Sequence, residues 1–228
     1  TALEDMQGSG TKALEEASRI LRIDGSVIPA TETAATLHAE YEDGTELVGE
    51  HVISSPDEGR SRIKELSFAT RLPLTGSARE ALAEADLIVL GPGSLYSSTI
   101  AALLPEGMKE AIAASPAKLV YVSNLFTKAG QTEGYSAMDH VKEIERYAGR
   151  TLDRVFVHAG VFSDDVLERY AKEREYPIAD DLAADTRVMR LPLASVNVVA
   201  PVENDPLRRS FIRHDSETLA SALATLFA

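Results

Sequence analysis

The sequence DLIVLGPGSLYSS, residues 86–98, decides the fold, because an apolar strand pattern runs directly into a glycine loop and then into helix-capping residues. Gly91 and Gly93 can adopt backbone angles that other residues rarely reach, and they let a ligand come close to main-chain N–H groups. Ser94 or a serine that follows it can cap a helix, whose first N–H groups favour an anion. The stretch predicts a phosphate-binding loop or a tight turn without a ligand, and both interpretations stay open here.

A strand pattern, a polar loop and a helix pattern recur in this order along the rest of the chain. The predicted strands are residues 86–90, 118–122, 154–158 and 196–200, and the predicted helices are residues 97–114, 136–149, 163–173 and 215–227. Ser136 and Asp139 resemble a capping box, and Gly149 is a typical helix end. The strands are short and rich in Val, Ile and Leu, as in sheets covered on both faces. We therefore predict an α/β fold, a parallel sheet with helices on both faces.

The part of the chain before residue 86 has a different pattern. Residues 11–21 predict an amphipathic helix, and the strand-like runs are residues 26–28, 36–41, 46–53 and 62–68. Asp43-Gly44 predicts a tight hairpin turn, and residues 56–59 predict another polar turn. We therefore divide the chain into residues 1–23, an N-terminal helix of the α/β domain, residues 24–70, a small antiparallel β subdomain, and residues 71–228, the main α/β domain with the ligand cleft.

The chain is acidic and contains no cysteine. Its 228 residues are 44% hydrophobic and include 23 Lys and Arg against 36 Asp and Glu, a net charge of -13. This balance argues against binding nucleic acid, because phosphate backbones favour dense positive charge. No segment approaches the roughly 20 apolar residues that span a membrane, and none has the order of a signal peptide. We therefore expect a cytoplasmic protein without disulfides, in which any bound anion depends on local donors.

A long polar loop follows the second predicted strand. In a parallel sheet, ligands bind beyond the carboxyl ends of the strands. The side chains of Asn124, Thr127, Gln131 and Thr132 can form hydrogen bonds with a ligand there. They can instead satisfy the loop's own backbone, and ligand contact is only slightly favoured.

Three arginines, Arg208, Arg209 and Arg213, follow the fourth predicted strand. Guanidinium groups pair well with phosphate or carboxylate, although a solvated patch that balances the acidic chain is the commoner explanation. The position beyond a strand end favours at least one arginine at the site. Tyr170, on the helix after the third strand, can stack on a base or fill the core, and the residues alone favour the core.

The sequence contains no recognisable catalytic constellation. The five histidines are scattered without metal-ligand spacing. His158 ends a predicted strand and can act as a base, but an imidazole that is satisfied in the core or at its rim is commoner. Asp164-Asp165 and Asp180-Asp181 are better explained as helix-start and solvated acids than as a Mg²⁺ pair. We therefore predict no catalytic residue and no metal site.

Three parts of the chain together resemble the gluconeogenesis factor family. They are residues 85–97, residues 120–135 and Asp139-His140, supported by Pro29-Ala30-Thr31, Leu37-His38, Glu42-Asp43-Gly44-Thr45, Tyr170-Ala171-Lys172-Glu173 and Arg213-His214. The resemblance spans essentially the whole chain. The family consists of cytoplasmic bacterial proteins whose fold is shared with 2-phospho-L-lactate transferase.

The resemblance implies a Rossmann-like protein that binds UDP-N-acetylglucosamine and regulates carbon flow into cell-wall precursors, with no established catalytic reaction and no cofactor. It implies that Tyr170 and Arg213 contact the sugar nucleotide, and that the glycine loop and the loop after the second strand line the cleft. The ligand-binding residues predicted on these grounds are Gly91, Pro92, Gly93, Ser94, Tyr96, Asn124, Thr127, Gly130, Thr132, Gly134, Tyr135, Tyr170 and Arg213.

Two alternatives remain beside this regulator. A transferase that moves a phosphate-bearing group from a nucleotide-linked donor would need acidic Mg²⁺ ligands, and an interaction protein would keep only a vestigial cleft. Family members usually begin with a strand, a Gly-Gly-Gly-Thr-Gly turn and an Asp-Asp-Gly-Gly segment, none of which this sequence contains, so we expect an incomplete sheet edge or interface. The expected partners are a nucleotide sugar and a protein target in amino-sugar synthesis, and a homo-oligomer is left open.

Overall fold

The computed structural model describes residues 5–6, 8, 10–55, 59–195 and 210–227. The predicted strand at residues 196–200, most of the predicted turn at residues 56–59, and Arg208 and Arg209 lie outside these residues. The described strands are β1 (Leu37–Tyr41), β2 (Glu46–Val48), β3 (Ile63–Phe68), β4 (Leu87–Leu90), β5 (Lys118–Val122), β6 (Arg154–His158) and β7 (Val188–Leu191). The described α-helices are α1 (Gly10–Leu21), α2 (Glu50–Ser54), α3 (Gly76–Glu84), α4 (Met108–Ala114), α5 (Ala137–Ala148), α6 (Asp164–Lys172) and α7 (Ser216–Ala224).

The main sheet has four parallel strands in the order β4-β5-β6-β7. The predicted strands at residues 86–90, 118–122 and 154–158 are confirmed as β4, β5 and β6. The sequence pattern missed β7 because it is short and Arg190 interrupts its apolar run. Since the described strands follow chain order, the carboxyl ends of β4 and β5 lie side by side at one edge of the sheet.

Helices cover both faces of this sheet, as predicted. On one face, Ile112 of α4 and Val141 and Ile144 of α5 belong to a buried cluster that includes Leu119 and Tyr121 of β5. The other face packs Val166 and Tyr170 of α6 and Ala222 of α7 against Val120 and Phe156. Because β5 and β6 bury side chains on both faces, their sequences are almost continuously apolar.

A small antiparallel sheet, in the order β2-β1-β3, packs on the α5 side of the molecule. Its hairpin turn is confirmed at Asp43-Gly44, where Gly44 has a φ of 84° and Asp43 Oδ1 accepts the N–H of Thr45 at 2.9 Å. The prediction of a strand at residues 26–28 is wrong, because this segment pairs with no strand.

The strand predicted at residues 46–53 is wrong in its second half. Strand β2 ends at Val48, and α2 begins at Glu50. Gly49 lies between them with a φ of 100°, which extended strand residues do not adopt. Ile53, which fits the predicted strand pattern, lies in α2 and is completely buried in the core.

The single helix predicted at residues 97–114 is replaced by three shorter elements. A π-helix spans Leu95–Ile100, a 3₁₀-helix spans Ala101–Leu103, and α4 begins only at Met108. Pro105 and Gly107, which has a φ of 91°, separate α4 from the turns before it. Ser94 occupies the N-cap position but makes no side-chain capping bond, whereas the capping box of Ser136 and the helix end at Gly149 are confirmed.

Helix α5 connects the two sheets through polar contacts. The hydroxyl of Tyr147 accepts the backbone N–H of Leu66 at 2.7 Å, and Arg146 donates to the carbonyl oxygen of Lys64 at 3.2 Å. Residues of both sheets belong to one buried cluster. The division into residues 1–23, 24–70 and 71–228 stays a prediction. The buried core itself contains residues from both sides of residue 70.

Candidate functional site

A cavity of about 500 Å³ lies at the carboxyl ends of β4 and β5. It is lined by the glycine loop (Pro92, Gly93, Ser94, Leu95), the loop after β5 (Asn124, Leu125, Phe126, Thr127, Lys128, Thr132), His140, Tyr170, Glu175, and the segment before α7 (Ser210, Ile212, Arg213, His214). The position is the one expected for a ligand in a parallel α/β sheet.

The structure brings together a majority of the predicted ligand-binding residues. Those that line the cavity are Pro92, Gly93, Ser94, Asn124, Thr127, Thr132, Tyr170 and Arg213. Those that do not line it are Gly91, Tyr96, Gly130, Gly134 and Tyr135. Tyr96 and Tyr135 are buried, and their hydroxyl oxygens lie 2.9 Å apart. The Tyr96 hydroxyl also donates to Glu143 Oε2 of α5 at 3.1 Å and lies 3.5 Å from the carbonyl oxygen of Ile63 of β3, so it is used in contacts with α5 and the small sheet.

The two glycines of the loop have different surroundings. Gly91 has a φ of 80°, and a Cβ atom there would lie 2.8 Å from the carbonyl oxygen of Val122. The expectation that Gly93 also uses a left-handed backbone angle is wrong. A Cβ atom at Gly93 would instead lie 3.2 Å from Ser98 Cβ. Close packing against β5 and against the π-helix therefore selects glycine at these positions.

Asn124 connects the two loops that form the cavity. Its side-chain Nδ2 donates to the carbonyl oxygen of Gly93 at 2.6 Å, and its Oδ1 accepts the hydroxyl of Tyr121 at 3.1 Å. Burial raises the pKa of Tyr121, so this hydroxyl keeps its proton. The amide of Asn124 is thus fixed in orientation between β5 and the glycine loop.

The loop after β5 uses several of its polar side chains internally. Thr127 Oγ1 accepts the N–H of Tyr176 at 3.0 Å, and Thr132 Oγ1 accepts the N–H of Lys128 at 2.8 Å. Gln131 donates from Nε2 to the hydroxyl of Ser54 at 3.1 Å. Thr132 thus satisfies the loop's own backbone, whereas Thr127 and Gln131 bond to residues outside the loop, and ligand contact by these side chains stays a prediction.

Two cations and one acidic residue face the cavity. Arg213 is exposed at the rim and Lys128 is half-buried. Within the described part of the chain, neither Lys128 nor Arg213 forms an ion pair. The acidic residue that lines the cavity is Glu175. The carbonyl oxygen of Arg213 accepts the N–H of Ser195 at 2.8 Å, which anchors the backbone at the rim. A local positive charge in an acidic chain favours an anion here.

Two histidines of the cavity were missed as site residues by the sequence reasoning. His140 lies one helical turn after Ser136, and its Nδ1 is 2.9 Å from the Ser136 carbonyl oxygen. His214 precedes α7, and its Nε2 is 3.0 Å from the carbonyl oxygen of Ser123. Burial lowers the pKa of both rings, which favours the neutral form. One feature of the sequence could have identified them: His140 follows Asp139 and His214 follows Arg213 in motifs that resemble those of the family.

Tyr170 is packed as a core residue although it also lines the cavity. Its ring is buried and stacks on Phe126 with the ring centroids 3.8 Å apart, and Phe211 contacts it edge-on at 5.6 Å. Its hydroxyl accepts the N–H of Ile212 at 3.2 Å. One face of the ring is therefore already covered, and contact with a base or sugar stays a prediction.

The fold and this cavity define an α/β protein with a cleft, lined by two cationic side chains, at the carboxyl edge of its parallel sheet. A family model described as 2-phospho-L-lactate transferase CofD matches residues 1–199. A relative in Thermotoga maritima is 39% identical over 223 residues, which are 97% of this chain and 68% of the relative. In Bacillus subtilis, a relative named gluconeogenesis factor is 34% identical over 228 residues, 99% of this chain and 68% of its own length. The chain belongs to the CofD family.

Solved structures share this fold. The crystal structure of a UPF0052 family protein from Bacillus halodurans superposes with a TM-score of 0.84 at 32% identity, and the match covers 98% of this chain and 70% of that protein. A relative in Nostoc is 35% identical, and the match covers 48% of its length. The chain therefore spans between about half and two thirds of the length of these curated relatives.

No group of three or more His, Cys, Asp and Glu side chains is arranged to hold a metal ion within the ranges that the structure describes. Across the same ranges, the helices are too short or too polar to cross a bilayer.

Proposed function

We propose that this protein binds the nucleotide sugar UDP-N-acetylglucosamine in the cavity and acts in the cytoplasm as a non-catalytic regulator of carbon metabolism and cell-wall precursor supply. The observation that carries the proposal is the presence of Lys128 and Arg213 at one cavity of an acidic protein. The names of the curated relatives support the metabolic role. Its protein target would then lie in amino-sugar synthesis.

The chemistry of the cavity suits a ligand that is both charged and polar. Its volume of about 500 Å³ falls within the range of small-molecule sites, roughly 300–1,000 Å³. The Arg213 guanidinium can bind a diphosphate through two parallel hydrogen bonds, and Lys128 adds a second positive charge. Gly93 presents no side chain between the ligand and the loop backbone. Ser94 and the backbone of the loop after β5 add polar groups to the lining.

Titration calorimetry of the purified chain tests the proposal directly. UDP-N-acetylglucosamine, UDP and GDP are titrated in turn, each with and without Mg²⁺. We expect saturable binding of UDP-N-acetylglucosamine that does not require Mg²⁺, weaker binding of UDP, and still weaker binding of GDP. Absence of heat with UDP-N-acetylglucosamine at millimolar concentration would contradict the proposal.

A second candidate function follows from the description of the matching family model. That description names a transferase, so we retain transfer of a phosphate-bearing group from a nucleotide-linked donor as the alternative. This alternative needs Mg²⁺ to stabilise the transferred phosphate charge. Tighter binding of GDP than of UDP-N-acetylglucosamine, seen only with Mg²⁺, would favour the transferase over the regulator.

A further inference from the structure

Two histidine rings in the cavity wall are each fixed by a backbone carbonyl group. His140 Nδ1 lies 2.9 Å from the carbonyl oxygen of Ser136, and His214 Nε2 lies 3.0 Å from the carbonyl oxygen of Ser123. A carbonyl oxygen can only accept a hydrogen bond, so each of these nitrogens carries the proton of its ring. The ring tautomers are therefore determined by the backbone.

The other nitrogen of each ring is a hydrogen-bond acceptor while the ring is neutral. Burial lowers the pKa of His140 and of His214, so both rings are neutral at pH 7.5. Within the described residues, no donor is bonded to His140 Nε2 or to His214 Nδ1. His140 and His214 both line the cavity that Lys128 and Arg213 also line, so the cavity wall contains two rings that each have an acceptor nitrogen without a partner in the described part of the chain.

This combination discriminates between kinds of anion. A fully deprotonated anion such as sulfate can pair with the cations but has no hydrogen to offer the histidines. Acceptors that lose water without gaining a donor oppose binding. A ligand that carries hydroxyl or amide N–H groups beside its phosphate groups satisfies the cations and the acceptors together.

We propose that His140 and His214 are specificity-determining residues, which accept hydrogen bonds from hydroxyl or N–H groups of the ligand and so favour glycosyl phosphates over simple anions. This inference rests on the proposed function, because it assumes that the cavity binds an anionic ligand. The inference adds two residues, His140 and His214, that would form hydrogen bonds with the uncharged part of that ligand.

Two substitutions remove the acceptor nitrogens and keep an N–H donor for the backbone carbonyl that each histidine contacts. In His140→Asn, the side-chain amide can still donate to the Ser136 carbonyl, but the position of Nε2 is empty. In His214→Gln, the longer amide can still donate to the Ser123 carbonyl, and the Nδ1 acceptor is lost. His38→Gln is the matched control, because His38 is a histidine of β1 whose ring contacts Glu46 and not the cavity.

The measurement compares two ligands at pH 7.5 in the parent and the variants. UDP-N-acetylglucosamine is titrated directly, and sulfate is measured as its competitor. We expect His140→Asn and His214→Gln each to weaken UDP-N-acetylglucosamine binding roughly tenfold, as loss of a hydrogen bond does. The competition constant of sulfate should change by less than about twofold. His38→Gln should match the parent for both ligands.

The outcomes separate this inference from the proposed function. A parent that does not bind UDP-N-acetylglucosamine overturns both. A parent that binds it, with variants that bind it equally well, overturns only the role of the histidines. Equal weakening of sulfate and UDP-N-acetylglucosamine also overturns it, because the histidines would then act by holding the cavity in shape. Since the two variants lie on different elements, a folding defect in one leaves the other as the test.

Discussion

The side-chain amide of Asn124 donates a hydrogen bond of 2.6 Å to the carbonyl oxygen of Gly93, and this contact joins the loops that follow two neighbouring strands. The residue was expected to contact a ligand, and it does line the cavity. Its amide is also held by the Tyr121 hydroxyl. The shape of the cavity wall therefore depends on a side chain that is fixed before any ligand arrives.

Asn124→Asp should destabilise the protein by about 1–3 kcal/mol, because it removes the donor and places a carboxylate beside the Gly93 carbonyl oxygen. The measurement is the free energy of unfolding from urea denaturation. Tyr121→Phe is the control, since it removes only the hydroxyl that contacts the same amide, and it should have a smaller effect. Equal stability of Asn124→Asp and the parent would show that the contact does not hold the loops.

Arg213→Ala should weaken binding of UDP-N-acetylglucosamine roughly tenfold to a hundredfold, as loss of a charge-assisted hydrogen bond does. The difference between parent and variant should shrink as salt is raised, because Arg213 is exposed and its charge is screened. Calorimetry at low and high salt measures both effects. Arg19→Ala on α1 is the control, and an affinity loss as large as that of Arg213→Ala would point to net charge instead of the cavity.

Tyr170→Ala should lower the free energy of unfolding by about 3–5 kcal/mol, because the ring is buried against Phe126. Tyr170→Phe keeps the ring and leaves the N–H of Ile212 without its acceptor, which should cost about 1–3 kcal/mol. Urea denaturation measures both variants. Should Tyr170→Ala keep the stability of the parent while ligand binding is lost, the ring would be a ligand contact and not part of the core.

Gly91→Ala should be more destabilising than Gly44→Ala, although the two glycines have nearly the same φ, 80° and 84°. At Gly44 a Cβ atom meets nothing within 4 Å, so only the backbone strain of about 1–2 kcal/mol applies. At Gly91 the contact with the Val122 carbonyl oxygen adds about 1–3 kcal/mol. Thermal and urea unfolding of both variants test this, and equal losses would exclude the steric contribution.

The stability of the protein should decrease as the pH falls below about 6.5, the usual pKa of an unfolded histidine. Burial lowers the pKa of His140 and His214 in the folded protein, so the unfolded chain binds protons first and is favoured by acid. Melting temperatures between about pH 7.5 and pH 5.5 measure the effect. His140→Asn should show a smaller decrease over this range, and a decrease as large as that of the parent would contradict the assignment.

The sequence predicts those parts of the fold whose signals are local. Strands β5 and β6 are apolar on both faces, and the capping box of Ser136 lies within four residues, so each is visible in a short window. Strand β7 is different, because Arg190 is accommodated there by an ion pair with Asp180, ten residues away. Only the tertiary structure makes that arginine compatible with the strand.

The same distinction applies to the cavity. The glycine loop and the loop after β5 could be placed from their positions after strands. The position of His214 in the cavity wall could not, because its ring contacts the carbonyl oxygen of Ser123, which lies 91 residues earlier in the chain. Thr127 likewise looks like a ligand contact until the distant Tyr176 N–H is found on its hydroxyl oxygen.

Strand β3 is one of the two edge strands of the small sheet, and such edges can recruit a strand from a second molecule and start aggregation. Tyr147 occupies the N–H of Leu66 and Arg146 occupies the carbonyl oxygen of Lys64, so neighbouring groups of this edge are already engaged. Both side chains come from α5, about eighty positions further along the chain. Protection of this edge against self-association is thus supplied by α5, and it is lost whenever that helix is displaced.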